Sequence, residues 1–161
     1  MPELTVNSPL GPLTLIEADG AIIELDWRRA VKEEPSKFLK TGKDELEGYF
    51  SAELKTFSLP VNPKGTAFQK QVWEQMVKIP YGQVLTYGNV AKTLSSSPRA
   101  VGTACGRNPI PIIIPCHRFM GANGKLTGYT GAGGTKTKSF LLDLESHQAR
   151  LPLAYKSESP S

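Results

Sequence analysis

The sequence predicts an α+β protein in two parts. A small N-terminal α/β region built on an antiparallel sheet is followed by a mainly helical region that contains a helix-turn-helix. Three observations predict this. Short apolar runs bounded by Gly, Pro and Asp fill the start of the chain, which is the patterning of strands and turns. From Thr66 the apolar residues recur at helical spacing instead. The charge changes at the same place: residues 1–60 carry 7 basic and 11 acidic side chains, whereas residues 61–140 carry 10 basic and 1 acidic, Glu74.

The elements follow in order. Leu4–Val6 and Leu13–Glu17 read as strands, separated by the turn signal Ser8-Pro9-Leu10-Gly11-Pro12. Ala18-Asp19-Gly20 suits a tight hairpin into a third strand, Ala21–Trp27. A helix is expected from Lys43 to about Leu54, with Leu46, Phe50 and Leu54 on its inner face. Leu59–Gly65 is rich in Pro and Gly, so the expected division is a structural domain over 1–60, a linker over 61–65, a helical domain over 66–148 and a polar, frayed tail over 149–161.

In the second region Thr66 caps a helix whose apolar face is Phe68, Val72, Trp73, Met76 and Val77. Ile79-Pro80-Tyr81-Gly82 ends it, because Pro and Gly each break a helix. Thr86 caps a second helix through Val90 and Ala91 to about Leu94. Ser97 caps a third, with Pro98 in the first helical position and an end near Arg107. Ile112-Ile113-Ile114 reads as a fully buried strand, and 138–146 as a last helix.

Composition excludes several classes. With 161 residues, 39% hydrophobic and 21% charged, the chain is an ordinary globular protein. Two cysteines are too few for a disulfide framework and cannot alone build a structural zinc site, so neither metal nor cofactor is expected. The longest apolar stretch, 110–115, is far too short to span a bilayer, so no membrane partner is expected. No basic-then-apolar leader opens the sequence, so the expected location is a reducing intracellular compartment, the cytoplasm of a prokaryote or the nucleus of a eukaryote. The net +9 of residues 61–140 suits a polyanion, and from charge alone a solvated basic face fits equally well.

The third helix carries Arg99-Ala100-Val101-Gly102-Thr103-Ala104-Cys105-Gly106-Arg107. It lacks the long polar side chains that read base edges in the major groove. Small residues would let backbone approach DNA closely, and Arg99 sits at the amide-rich end, where phosphate is favoured. This points to sequence-tolerant contact in the minor groove; helix-on-helix packing is the alternative explanation of the same residues. Cys105 among them reads as packing.

Pro115-Cys116-His117-Arg118 is the most informative stretch. A thiol beside imidazole and guanidinium is the setting that raises thiolate content. A nucleophilic Cys needs a base, and the base needs an orienting group. In extended chain the Cys116 and His117 side chains point apart, so a bridging water is expected, with Glu145 as the candidate carboxylate. The glycine run 128–134 has neither P-loop nor Rossmann spacing and reads as a loop walling a pocket.

These residues in this order resemble the O6-alkylguanine-DNA alkyltransferases. The resemblance rests on Phe68-Gln69 with Val72-Trp73, Ile79-Pro80-Tyr81-Gly82, Arg99-Ala100-Val101-Gly102, Asn108-Pro109, Pro115-Cys116-His117-Arg118, Gly128-Tyr129, and Lys138 with Leu141-Leu142 and Glu145. Ser8-Pro9-Leu10-Gly11 extends it to the first region. It implies a ribonuclease-H-like first domain and a single-turnover repair protein that moves the alkyl group of O6-alkylguanine, and secondarily of O4-alkylthymine, to Cys116. Catalysis then involves Cys116, His117, Glu145, Tyr87 and Asn108. Thr86, Tyr87, Arg99, Ala100 and Gly102 meet duplex DNA in the minor groove, and Arg99 fills the gap left by a flipped nucleotide. Phe119, Tyr129, Thr130, Gly131 and Lys138 line the pocket. The implied protein is a monomer in solution, with cooperative assembly on DNA left open. A damage-sensing DNA-binding protein without catalysis is the alternative; the alkyltransferase-like proteins of that kind lack the cysteine, and Cys116 is present. Phe119 stands where the family usually has Val, the glycine loop looks two residues longer, and Pro98 stands where Ala is usual.

Overall fold

Asp19 and Gly20 both adopt positive φ, 51° and 77°, the backbone that a two-residue hairpin of the favoured twist requires. That turn joins β2 (Gly11–Ala18) to β3 (Ala21–Asp26), and a second tight turn joins β1 (Glu3–Ser8) to β2. The three strands form an antiparallel sheet in the order β1-β2-β3, with Leu4 opposite Leu15, Val6 opposite Leu13, and Leu15 opposite Leu25. One face is therefore apolar, and Leu4, Val6, Leu13, Leu15 and Leu25 are all buried.

The computed structural model describes residues 1–126 and 133–150, with side chains as far as 146. Over these residues the expected mixed α/β architecture is the observed one. The chain divides into two compact units: Met1–Gly65 with Pro109–Ile113, and Thr66–Asn108 with the residues from Ile114 onward.

In the first unit α1 (Lys37–Phe50) packs on β1 and β2 through Leu39, Gly42, Leu46 and Tyr49. This helix starts earlier than expected. Ser36 is its N-cap and accepts from the Leu39 amide, and the inner face is Leu39, Leu46 and Tyr49 rather than Leu46, Phe50 and Leu54. Gly42 reads as a breaker in sequence, yet packing demands it: a Cβ there would stand 2.8 Å from Leu15 Cδ1. Val61, in the expected linker, forms a parallel bridge with Ile22.

The Ile-rich segment is buried but is not a strand. Pro109, Pro111 and Pro115 each remove an amide donor, so no ladder forms. Ile112 instead takes φ 75°, a conformation that costs a β-branched residue about 1–3 kcal/mol. The Leu25 amide donates to Pro109 O at 2.9 Å, and Ile110, Ile112 and Ile113 join the first unit's core.

In the second unit α2 (Ala67–Val77) opens with a capping box, Thr66 and Gln69 each accepting the other's amide. Val72, Trp73 and Met76 are buried as expected, whereas Val77 is exposed. α3 (Tyr87–Leu94) repeats the device with Thr86 and Asn89. Ser95 at φ 54° ends α3, Ser97 caps α4 (Pro98–Cys105), and Pro98 begins it. The helix-turn-helix is thus α3 and α4, with α4 two residues shorter than expected. Trp73 Nε1 donates to Ala104 O at 2.9 Å and pins α2 to α4. A two-residue strand, β4 (Leu85–Thr86), pairs in parallel with β5 (Phe119–Met120). The last helix, α5, runs over Thr135–Arg150.

Candidate active site

Three local devices assemble the site. The first is a 3-10 turn, Cys116–Arg118, rather than the end of a strand. With three residues per turn, successive side chains stand about 120° apart around the axis, so Cys116 and His117 still point in different directions. The second is α5. Lys138, Leu141 and Glu145 follow a helical period and all face inward, so this helix buries two ionisable groups on one stripe. The third is the β4–β5 bridge, which sets Leu85 opposite Phe119 and Thr86 opposite Met120. Tyr87 follows directly, and its ring meets that of Phe119 edge-on at 5.9 Å.

At the centre lies a buried charge cluster. His117 Nε2 meets Glu145 Oε2 at 2.7 Å, with the two side chains 0% and 1% exposed. Arg118 grips the same carboxylate with Nε on Oε1 at 2.8 Å and a terminal nitrogen on Oε2 at 3.0 Å. Its other terminal nitrogen donates to Ile79 O at 2.7 Å. Burial alone would raise the Glu145 carboxyl, but the hydrogen bonds and charges of His117 and Arg118 outweigh it and hold it at about 2. Burial is also the largest influence on His117 and lowers it, against the pull of Glu145. His117 is therefore neutral at pH 7. With Nε2–H donated to Glu145, its Nδ1 presents a lone pair. Among the described residues that Nδ1 is buried and has no hydrogen-bond partner. Tyr81 packs its ring on Arg118 at 5.8 Å, and burial and then Glu145 push its hydroxyl up to about 12.

Cys116 is buried, as is Cys105 at the end of α4, and neither is in a disulfide. Lys138 is fully buried, and its Nζ lies 3.5 Å from Tyr87 Oη and 5.6 Å from that ring's centroid. Burial lowers the Lys138 ammonium, with Cys105 and Cys116 opposing. Asn108 donates from Nδ2 to Ile114 O at 2.8 Å. These two residues flank the Pro109–Ile113 excursion, so the amide clamps the ends of the segment that leads from α4 to Cys116.

The structure thus brings Cys116, His117, Glu145, Tyr87, Lys138 and Phe119 into one region of the second unit. Tyr129, Thr130 and Gly131 lie outside the described residues. Arg99 is exposed at the start of α4, with Ala100 and Gly102 following. A Cβ at Gly102 would meet nothing within 4 Å, so packing inside the chain does not require this glycine. The roles of two contributors escaped the sequence reading. Arg118 was expected to act on the thiol of Cys116, whereas it grips Glu145, and Cys105 read as packing. The scarcity of carboxylates in this region was the available signal for Arg118: a cation this deep needs a carboxylate, and few are available.

Residues 67–147 match the family model described as 6-O-methylguanine DNA methyltransferase, DNA binding domain, and residues 3–63 match that of its ribonuclease-like domain. A methylated-DNA–protein-cysteine methyltransferase of Methanosarcina acetivorans is 44% identical over 149 residues, covering 86% of this chain and 94% of that one. The constitutive one of Bacillus subtilis is 42% identical over 156 residues, covering 88% and 93%. Among solved structures, Mycobacterium tuberculosis OGT in complex with DNA superposes with TM-score 0.83 at 40% identity, covering 92% of this chain and 94% of that one.

Proposed function

The chain belongs to the 6-O-methylguanine DNA methyltransferase family, DNA-binding repair enzymes that transfer a methyl group from DNA to a protein cysteine, and on that premise we propose that Cys116 accepts the alkyl group of O6-alkylguanine in one irreversible turnover.

The observation that carries this reading is the buried His117 Nδ1, without a partner among the described residues, on a ring held by Glu145 and in the residue that follows Cys116. A neutral imidazole in this tautomer takes a proton, and the thiol of Cys116 is the source, through one bridging water. The Glu145 carboxylate stabilises the imidazolium that results, and Arg118 keeps that carboxylate ionised. The Cys116 thiolate then attacks the alkyl carbon in line. A C–S bond forms, the C–O6 bond breaks, and the electron pair leaves with guanine. The Tyr87 hydroxyl donates to the departing base. The product is a thioether, which water does not cleave, so each molecule reacts once. O4-alkylthymine offers the same bond to break and is the secondary substrate.

The chemistry requires the base to leave the stack, which costs a few kcal/mol and least at a damaged pair. Arg99 is exposed at the start of α4 and has the reach to fill the gap. Ala100 and Gly102 leave the outer face of α4 low, and at Gly102 no internal contact explains the small residue. Thr86 and Tyr87 open the preceding helix. This face fits close, sequence-tolerant backbone contact in the minor groove. Asn108 braces the segment between this helix and the nucleophile, and Phe119, Tyr129, Thr130, Gly131 and Lys138 are assigned to the base pocket. The domain division is read as a structural part over 1–60 and a working part over 66–148.

The test is stoichiometric. Protein is mixed with a molar excess of duplex carrying O6-methylguanine, and restored guanine is counted. The proposal predicts a plateau at one guanine per protein; continued release past that plateau contradicts it.

A further inference from the structure

We infer that Cys105 is a positioning residue for the transfer: its thiol donates a hydrogen bond that holds Cys116 in the ionised, attacking form. This inference rests on the reading of Cys116 as the acceptor.

Cys105 is the last residue of α4, and the fold turns its side chain toward Cys116. Its Sγ donates to the carbonyl oxygen of Cys116 at 3.8 Å in a buried setting, and Cys116 is the largest influence on the Cys105 thiol. A thiol has one proton to give. While Cys116 is neutral, the carbonyl is the better acceptor. When Cys116 loses its proton, its sulfur becomes the better one, because hydrogen bonds to an ionised acceptor are roughly twice as strong as neutral ones. A rotation about the Cβ–Sγ bond of Cys105 redirects the donor with no backbone movement.

The pair is asymmetric. Cys105 sits at the carbonyl end of α4, where the helix dipole disfavours an anion. The hydrogen bond with Cys116, and then burial, push the Cys105 thiol up, so it keeps its proton and remains a donor. Among the described residues, the other groups facing the pair act differently. From α5, Lys138 favours an anion on either sulfur without choosing between them. From α3, the Tyr87 hydroxyl reaches Cys105 and Lys138. From the 3-10 turn, His117 takes the proton, with Glu145 and Arg118 behind it. Cys105 is thus the group that selects Cys116 over itself.

The experiment compares the full chain with C105A and C105S. Trypsin separates the two thiols, since Arg107 lies between them. The iodoacetamide labelling rate of the Cys116 peptide is followed by mass against pH, and methyl transfer from an O6-methylguanine duplex is followed in parallel. A hydroxyl donates better than a thiol, and a methyl does not donate. The midpoint for Cys116 should therefore rise in the order Ser, Cys, Ala, with C105A about half a pH unit or more above the parent. Below its midpoint C105A should transfer methyl about 2–5-fold more slowly, the loss of thiolate being partly offset by the greater nucleophilicity of a more basic thiol. Above both midpoints the order should invert, C105A transferring up to about 2-fold faster because its thiolate is more basic. A purely structural role would slow transfer at every pH, leave the midpoint in place and give no rescue by C105S. Coincident midpoints or a reversed order overturn the inference. If instead the parent chain labels at Cys116 but gains no methyl there, it is the underlying reading of function that fails.

Discussion

The two units are stabilised by different physics. The first buries a sheet face and the inner side of α1, and its buried polar residues are only Thr5 and Thr14. Its ion pairs, Arg28 with Glu3 and Asp26 and Lys43 with Glu47, stand at the surface. The second buries His117, Arg118, Lys138 and Glu145. Taking such groups out of water costs several kcal/mol per ion and is repaid only by close mutual pairing. The difference locates the chemistry. A region built for stability places charge outside, while this cluster keeps charge inside, where a carboxylate can remain ionised and an imidazole neutral.

Breaking the cluster should have the largest effect. Arg118→Met removes the bidentate partner of Glu145 and leaves a buried charge undercompensated, a loss of about 3–5 kcal/mol. Denaturant unfolding of variant and parent measures it. The sign with pH also follows. Glu145 is held below its ordinary 4.5, at about 2, so its contribution is complete above 4.5 and is lost as pH falls toward 2. In Arg118→Met the carboxyl rises and the loss begins at higher pH. An acid-unfolding curve that does not move would show that Arg118 is not what holds Glu145 down.

Arg99→Ala tests the basic unit at its surface. Repair in duplex DNA should slow roughly 10–100-fold, because opening a base pair costs a few kcal/mol, while reaction with free O6-methylguanine changes little. Equal losses with both substrates would refute a role for Arg99 in the stack. The smallest effect is expected in the first unit. Lys43→Ala breaks an exposed i,i+4 pair and should cost only a few tenths of a kcal/mol, with methyl transfer unchanged. A loss comparable to that of Arg118→Met would erase the distinction between the units.

Much of this was legible in the residues, for reasons that also mark where legibility ends. Asp19-Gly20, Thr66, Thr86 and Ser97 act through local geometry, so the hairpin and three helix starts follow from nearest neighbours. The start of α1 was missed because Gly42 is a local breaker whose justification, close contact with Leu15, is tertiary. The run Ile112–Ile114 was misread because apolar content reports burial and not backbone conformation; the flanking prolines decided the latter. In the site, Cys116, His117 and Glu145 could be singled out by chemistry. The partners of Arg118 and Cys105 could not, since only folding brings them near: Glu145 on α5 for one, and Cys116 beyond the Pro109–Ile113 excursion for the other.

The central claim is that the buried relay serves a sulfur that takes the alkyl group. Its most direct measurement is the mass of the two cysteine peptides after reaction with a duplex carrying O6-methylguanine. One methyl is expected on the peptide of Cys116 and none on that of Cys105. An unmodified Cys116 in a protein that still binds the duplex would contradict it.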